Sequence, residues 1–213
     1  MPRRRGSDVG TLYLMRHAQT VFNTRRLIQG SCDSALTELG REQARAAGRL
    51  LRQRGITFSR AFCSTQERAS DTLEIATTEA FGSPMPYERL KGLKEMNFGA
   101  FEAGVAELYD PDFIENDPDF YARYGGETIR EVQLRMRDAL VHALEETGDG
   151  TVLAVSSNTA ILAFAASVRL SVKREGLLIP NCSVLVLDYD GSDFSLREML
   201  VPDVAAGVSR SSW

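Results

Sequence analysis

A short apolar run near the start of the chain ends abruptly in an arginine and a histidine. Residues 12–15 are apolar, and Arg16 and His17 follow directly. This pattern predicts a buried strand that delivers two polar side chains to its C-terminal edge, where open α/β sheets build ligand sites. The Arg16 guanidinium matches phosphate oxygens and disfavours protonation of the neighbouring imidazole. His17 is therefore a candidate nucleophile. The alternative is that Arg-His merely begins a solvated loop.

A second arginine is predicted at the same edge. Residues 58–63 are typical of a strand, and the Ser64-Thr65-Gln66-Glu67 run that follows predicts a capping box opening a helix over about 65–79. Arg68 falls in the first turn of that helix, where backbone N–H groups and the helix dipole favour an anion. Arg16 and Arg68 would then form a phosphate cradle. The alternative for Arg68 is an exposed position on the helix surface.

One carboxylate follows among apolar neighbours in a loop bounded by glycines. Glu95 lies between Leu93 and Met96, and burial there would raise its pKa and suit it to donate a proton. Lys91 and Lys94 are close in sequence, so the competing interpretation is a surface glutamate paired with a lysine. The local sequence favours that second interpretation.

Composition and charge restrict the class of protein. The 213 residues are 43% hydrophobic, with a net charge of -4 and a sequence pI near 5.4, which argues against nucleic acid as a general partner. No apolar stretch is long enough to cross a bilayer, so no membrane partner is expected. The odd number of cysteines (Cys32, Cys63 and Cys182) and the lack of CxxC spacing predict free thiols in a reducing cytoplasm and no zinc site.

Strand and helix patterns alternate along the first part of the chain. Further helices are predicted from Thr37 to Gly55, from Thr128 to about 147 and from about 157 to 170, and further strands at 84–88, 151–156, 183–189 and 194–201. Asp190-Gly191 is a hairpin signal between the last two strands. The fold class expected is a three-layer α/β/α sandwich with a mostly parallel sheet and an antiparallel edge.

The domain organisation is predicted from composition. Residues 1–10 are a basic tail without a secretory apolar region, 11–203 form a single α/β domain, and 204–213 are a C-terminal tail. Residues 102–124 are rich in acidic and aromatic side chains and contain two prolines, which indicates a lid or insertion over the sheet edge. The late edge strands offer a pairing surface for a homodimer.

Several motifs occur in the order found in one family. Arg16-His17-Ala18 is similar to an Arg-His-Gly motif. The other matching positions are Thr20, Asn23, Gln29, Gly30, Asp33, Leu36, Thr37, Gly40, Gln43, Ala44, Ser64, Arg68, Ala69, Thr72, Leu93, Glu95, Gly99, Glu102, Gly125 to Thr128, and Asn181 to Ser183. Over about residues 12–188 the chain resembles the histidine phosphatase superfamily, the phosphoglycerate mutase-like branch 1.

The resemblance implies a mechanism that agrees with the residue types. His17 would attack phosphorus and carry the phosphoryl group, while Glu95 protonates the leaving oxygen and later takes a proton from water. Arg16 and Arg68 would clamp the phosphoryl oxygens. The pocket lining implied by the family is Asn23, Gln29 and Gly30. No metal and no cofactor is implied, because arginines and N–H dipoles would stabilise the charge.

The chain departs from the family pattern after the fourth predicted strand. The family places a second histidine there, in Ser-His-Gly-Gly, whereas this chain has Ser156-Ser157-Asn158-Thr159. His142 precedes that strand and is expected to be a partly packed histidine on a helix surface. Ser157 could donate one neutral hydrogen bond, with Asn158 or water filling the remaining space. Loss of one preorganised donor costs on the order of 10²–10³ in rate, which predicts a slow enzyme.

Three functions are consistent with the sequence. The first is a phosphomonoesterase acting on a small phosphorylated metabolite, and the second is a phosphoglycerate mutase that returns the phosphoryl group to its substrate. The third is a phosphate-binding regulatory protein in which catalysis is impaired by the serine at position 157. The short chain and the acidic lid argue against the mutase, because a mutase must repeatedly bind highly anionic bisphosphates.

Overall fold

The computed structural model describes residues 10–105, 117–170 and 179–204. Residues 1–9 of the predicted N-terminal tail, the middle of the predicted lid and nearly all of the predicted C-terminal tail therefore lie outside the described residues, while Gly10 is already part of the first strand. Within the described ranges, no helix is long and apolar enough to cross a membrane.

Six strands in the described part of the chain form one mixed sheet. They are β1 (Gly10–Arg16), β2 (Arg60–Cys63), β3 (Glu88–Arg89), β4 (Thr151–Ser156), β5 (Val184–Tyr189) and β6 (Phe194–Leu200). Their order across the sheet is β3-β2-β4-β1-β5-β6. The first four strands run parallel, and β5 is antiparallel to both β1 and β6. This arrangement confirms the predicted parallel sheet with an antiparallel edge.

Helices cover both faces of the sheet. The α-helices are α1 (Val21–Thr24), α2 (Glu38–Gln53), α3 (Glu67–Phe81), α4 (Ile129–Glu145) and α5 (Asn158–Ser167), and short 3-10 helices lie at Lys91–Leu93, Gly99–Phe101 and Tyr121–Tyr124. Alternate residues of β1 separate the two cores. Leu12 and Leu14 pack with α4 and α5, whereas Met15 packs with α2 and α3. The predicted three-layer sandwich is therefore confirmed.

Two of the long helices begin with local side-chain caps, whereas α3 and α5 have none at their N-cap residues. The Thr37 side chain accepts the N–H of Gly40, and Thr128 forms a capping box with Glu131. The capping box predicted at residues 64–67 is wrong. There the Ser64 hydroxyl accepts the N–H of Gln66, and α3 begins after Gln66 without a side-chain cap.

The turn between the last two strands is the predicted hairpin. The Asp190 carboxylate accepts the N–H groups of Ser192 and Asp193, and Gly191 has a φ of +92°. Cys32, Cys63 and Cys182 are all free thiols. His142 lies on the outer surface of α4 and is exposed, so it belongs to the helix surface as expected.

Candidate active site

His17 lies at the C-terminal edge of the sheet, between the ends of two parallel strands. Its N–H donates to the Ser156 carbonyl at 2.9 Å, which continues the pairing of β1 with β4 by one residue. Its own carbonyl accepts the Asn181 Nδ2 at 2.8 Å, and the side chain is only 4% exposed. The ring is therefore fixed at the edge where the parallel topology predicted a ligand site.

The surroundings of the His17 ring fix its protonation state. Nδ1 is 2.7 Å from the Ala18 carbonyl, so Nδ1–H donates to that oxygen and Nε2 keeps its lone pair. Burial lowers the pKa of His17 well below its ordinary value of 6.5, and the charges of Arg68 and Arg16 lower it further. A neutral ring with a free Nε2 is the form that can attack an electrophile.

Arg16 keeps one donor available beside this ring. Its Nη1 donates to the Ile179 carbonyl, while its buried Nε–H has no partner among the described residues. Burial lowers the pKa of Arg16 to about 10, a shift that the Glu95 charge opposes, so the guanidinium stays charged at neutral pH. A buried, charged and unpartnered N–H is a donor for an oxyanion.

Arg68 is completely buried, contrary to the surface alternative. Its Nη1 donates to the Cys32 carbonyl at 2.8 Å and to the Asp33 carboxylate at 2.9 Å, and its Nη2 donates to the Gly30 carbonyl at 2.9 Å. Its Nε–H, like that of Arg16, has no partner within the described ranges. The residue 30–33 loop thus holds this guanidinium in place, and Arg68 is not among the residues that line the cavity beside His17.

Glu95 is buried and makes no ion pair with a lysine of the described chain, so the lysine-paired alternative is wrong. Oε1 accepts the N–H groups of Met96 and Ala160 at 2.8 Å each, and Oε2 accepts that of Thr159 at 3.0 Å. Burial raises the pKa of Glu95, although the N–H donors and the Arg68 charge oppose that shift. A carboxyl with a raised pKa is suited to proton transfer.

Ser157 follows β4, at the position where the sequence predicted the departure from the family pattern. Ser157 precedes the first residue of α5, but its hydroxyl is fully buried and has no partner among the described residues. Asn158 and Thr159 line the cavity beside His17, whereas Ser157 is not among its lining residues. Asn158 Oδ1 accepts the N–H of Ile179 at 2.9 Å. The Ser157 hydroxyl is thus not a cavity-lining donor.

The other predicted pocket residues differ in what they do. Asn23 and Gln29 line the cavity, but the side chains of both also hydrogen-bond neighbouring residues of the same loop. Asn23 Oδ1 accepts the N–H of Thr20, and the Gln29 amide bonds Thr20 and Ser34. Gly30 is not a lining residue. Its N–H donates to Glu102 at 3.1 Å, and its carbonyl accepts Arg68, so its backbone supports the cradle from outside.

A cavity of about 130 Å³ brings most of these groups together. Its walls come from both strand ends, the 23–29 segment and the Glu95 loop. The lining residues are Arg16, His17, Asn23, Leu27, Ile28, Gln29, Glu95, Phe98, Asn158 and Thr159. The space suits a group of the size of a phosphoryl ester, and its wall contains a neutral imidazole, a guanidinium and a carboxyl group. No cluster that could hold a metal ion is found within the described residues.

Two supporting residues were not assigned roles from the sequence. The Glu102 carboxylate accepts the N–H groups of Gly30, Ser31, Cys32 and Phe98 at 2.8–3.1 Å. Burial would raise the pKa of Glu102, but the Cys32 thiol and the N–H groups of Phe98, Ser31 and Cys32 hold that pKa below its ordinary value. The Gln66 side chain joins the residue 30–33 loop to the segment that contains Glu95, because it hydrogen-bonds the Gly30 carbonyl and the Glu95 N–H. Glu102 belongs to the family motif that contains Glu95 and Gly99, but the spacing of that motif did not indicate that its carboxylate contacts residues 30–32.

Comparison with known proteins places this geometry in a family. The model of the histidine phosphatase superfamily (branch 1) matches residues 12–201. A broad-specificity phosphatase of Saccharomyces cerevisiae is 26% identical over 214 residues, covering 91% of this chain and 86% of the yeast protein. A protein of Erwinia tasmaniensis named "Probable phosphoglycerate mutase GpmB" is 30% identical over 207 residues, with 93% of each chain covered.

Solved structures agree with the sequence comparison. YhfR of Bacillus stearothermophilus has a TM-score of 0.76 at 28% identity, covering 88% of this chain and 95% of YhfR. A phosphoglycerate mutase of Bacillus anthracis has a TM-score of 0.77 at 25% identity, covering 95% and 97%. Since the family model spans nearly the whole chain and its characteristic histidine lies in the cavity described here, the protein belongs to the histidine phosphatase superfamily, branch 1, a family of phosphatase enzymes.

Proposed function

We propose that the chain is a phosphomonoesterase that hydrolyses a small phosphorylated metabolite through a phosphohistidine on His17. The observation that carries the proposal is the neutral His17 ring, whose Nε2 lone pair is free while Nδ1–H is bound to the Ala18 carbonyl. Two buried guanidinium groups, each with an unpartnered Nε–H among the described residues, lie close enough to depress the pKa of His17. Positively charged N–H donors next to a nucleophile can stabilise the negative oxygens of a phosphoryl group during its transfer.

The proposed reaction has two steps. In the first, His17 Nε2 forms a bond to phosphorus as the bond to the ester oxygen breaks, and Glu95 donates its proton to that oxygen. In the second, water attacks the phosphohistidine and gives a proton to Glu95, which releases phosphate and restores the imidazole. Arg16 and Arg68 supply the positive charge that Mg²⁺ supplies at other phosphoryl-transfer sites, so the proposal needs no metal and no cofactor.

We further propose that Ser157 replaces the second family histidine and that turnover is consequently slow. The Ser157 hydroxyl is buried, Ser157 does not line the cavity, and a neutral hydroxyl cannot substitute for a cationic donor there. The same observation favours the second candidate, a phosphate-binding regulatory protein with impaired catalysis. The mutase stays a third candidate because a relative bears that name. The proposed location is the cytoplasm, where the free thiols would remain reduced.

Hydrolysis of p-nitrophenyl phosphate by the purified protein and by a His17→Ala variant tests the proposal. We expect measurable hydrolysis in the native protein, no hydrolysis in the variant, and an acid-labile label on His17 after rapid quenching with a ³²P-labelled ester. Binding of phosphate without turnover or label would instead support the regulatory protein. Conversion of 3-phosphoglycerate to its 2-isomer in preference to hydrolysis would support the mutase.

A further inference from the structure

A second polar cavity lies on the other side of the Glu95 segment. Its volume is about 260 Å³, and every lining residue is polar or charged: Ser31, Lys91, Lys94, Glu95, Asn97, Glu127 and Arg135. Glu95 is the one residue common to the linings given for the two cavities. Gln66 Nε2 donates to the Gly30 carbonyl at 2.5 Å, and Gln66 Oε1 accepts the N–H of Glu95 at 3.0 Å. Gln66 therefore fixes the Glu95 backbone between the two cavities.

The acidic groups of this second cavity are already neutralised or turned away. Glu127 binds Arg135 with both carboxylate oxygens, at 2.7 and 2.9 Å, and also accepts the N–H of Asn97 at 2.8 Å. The Glu95 carboxylate is directed at the first turn of α5, and its carbonyl accepts Arg135 Nη2 at 3.0 Å. Neither carboxylate is thus available to the two lysines.

Lys91 and Lys94 form no ion pair or side-chain hydrogen bond with any other described residue. They are two of only three lysines in the sequence, and they share one concave surface of a chain whose net charge is -4. The Asn97 amide adds donors, since its Oδ1 accepts the N–H of Gly99 whereas its Nδ2 has no partner within the described ranges. A concave surface with uncompensated positive charge and neutral donors concentrates small anions.

We propose that this cavity, the lysine cavity, is a second anion site that binds a phosphate group of a small molecule, distinct from the cavity of His17. Lys91 and Lys94 supply the charge, and Asn97 and the Ser31 hydroxyl supply directed hydrogen bonds. Lysine binds phosphate as a point charge, so two lysines can share one phosphate group without fixed geometry. The proposal concerns binding alone and does not depend on turnover at His17.

The small number of lysines allows a direct test. Reductive methylation with ¹³C-formaldehyde labels each lysine amine and keeps its charge, so every lysine gives its own NMR signal. Inorganic phosphate is titrated at constant ionic strength, with chloride as the reference anion, and Lys91→Arg and Lys94→Arg variants assign the signals. We expect the signals of Lys91 and Lys94 to shift saturably with phosphate and not with chloride. Shifts that match those in chloride, or no shift, would overturn the proposal.

Calorimetry with inorganic phosphate distinguishes the two cavities. Lys91→Gln should weaken binding at the lysine cavity about five-fold, whereas Arg130→Gln, which removes the same charge from an exposed position on α4, should not. In an Arg16→Gln variant, the lysine shifts should persist. If they disappear in that variant, phosphate binds only beside His17 and the second site does not exist. If they persist while His17 is never labelled, the second site stands and the proposed function fails.

Discussion

The Glu95 carboxylate caps helix α5 by accepting the N–H of Thr159 at 3.0 Å. Its other oxygen accepts the next N–H, that of Ala160, at 2.8 Å. The Ser157 side chain, which holds the N-cap position, makes no capping bond. The candidate acid of the reaction therefore also satisfies orphan donors of the helix that follows β4. The Glu95 side chain thus stabilises the start of α5 and is also the proposed proton donor.

Replacement of Glu95 by glutamine should affect both properties. The amide cannot donate an acidic proton, and its NH₂ group would face backbone donors, which costs about 1–3 kcal/mol of unfolding free energy. We expect hydrolysis of alkyl phosphates to fall more than hydrolysis of p-nitrophenyl phosphate, whose leaving group needs no acid. Steady-state kinetics on both esters and urea unfolding measure this.

Glu131→Gln is the matched control for Glu95→Gln. It alters the exposed capping box of α4, where Glu131 Oε2 accepts the N–H of Thr128 at 2.8 Å, and Glu131 does not line the cavity beside His17. The control should leave the ratio of the two ester rates unchanged. An equal loss for both esters in Glu95→Gln would remove Glu95 as the acid.

The pH profile of kcat/KM should be bell-shaped. His17 must be neutral to attack, and its lowered pKa places the rising limb well below pH 6.5. Glu95 must be protonated to donate, and its raised pKa places the falling limb above pH 4.5. The falling limb should disappear in Glu95→Gln while the rising limb stays. A falling limb that survives this substitution would assign the proton to another group.

On the proposal that Ser157 replaces the second family histidine, Ser157→His should raise turnover by up to about 10²-fold, because it would add a cationic donor toward the phosphoryl group. Ser157 is completely buried, so the larger ring should also cost about 1–3 kcal/mol of unfolding free energy. The measurements are kcat on p-nitrophenyl phosphate and urea unfolding. Ser157→Ala is the control and should leave kcat unchanged, since the hydroxyl has no partner in the described chain. Unchanged turnover in a folded histidine variant would mean that the site no longer uses this position.

Glu102→Gln should weaken the cradle without touching the cavity. The carboxylate accepts four backbone N–H groups, including that of Gly30, whose carbonyl receives Arg68. We expect a loss of about 1–3 kcal/mol in unfolding free energy and a lower kcat/KM.

The pH dependence of stability provides the check on Glu102. Its folded-state pKa is lowered, so its contribution is present above pH 4.5 and is lost as pH falls through the folded-state value. The stability difference between native protein and Glu102→Gln should therefore shrink in acid. A difference that is independent of pH would show that the charge of Glu102 is not what holds the loop.

The sequence was sufficient for the parts of the site that depend on local pattern and sheet topology. An apolar run before Arg16 and a strand before Arg68 place both arginines at the same sheet edge, because parallel strands end together. The burial of Arg68 could not be read from its helix, since its partners belong to a loop more than 30 residues earlier.

Glu95 was ambiguous for the opposite reason. Lys91 and Lys94 are its neighbours in sequence, and only the packing of the loop on α5 directs its carboxylate to Thr159 and Ala160 instead. Such contacts join segments more than 60 residues apart, and no local spacing encodes them. The same is true of the Glu102 carboxylate, which reaches the residue 30–32 loop from about 70 residues away.

The absence of a side chain at Gly30 lets the residue 23–30 segment pack closely against the loop that contains Glu95. A Cβ at this position would overlap the Met96 carbonyl, the Glu102 carboxylate and the Phe98 ring. Any residue with a side chain at this position would force residues 23–30 away from residues 95–102. Gln29 and Phe98 both line the cavity beside His17, so the missing side chain at Gly30 lets these two parts of the cavity wall pack against each other.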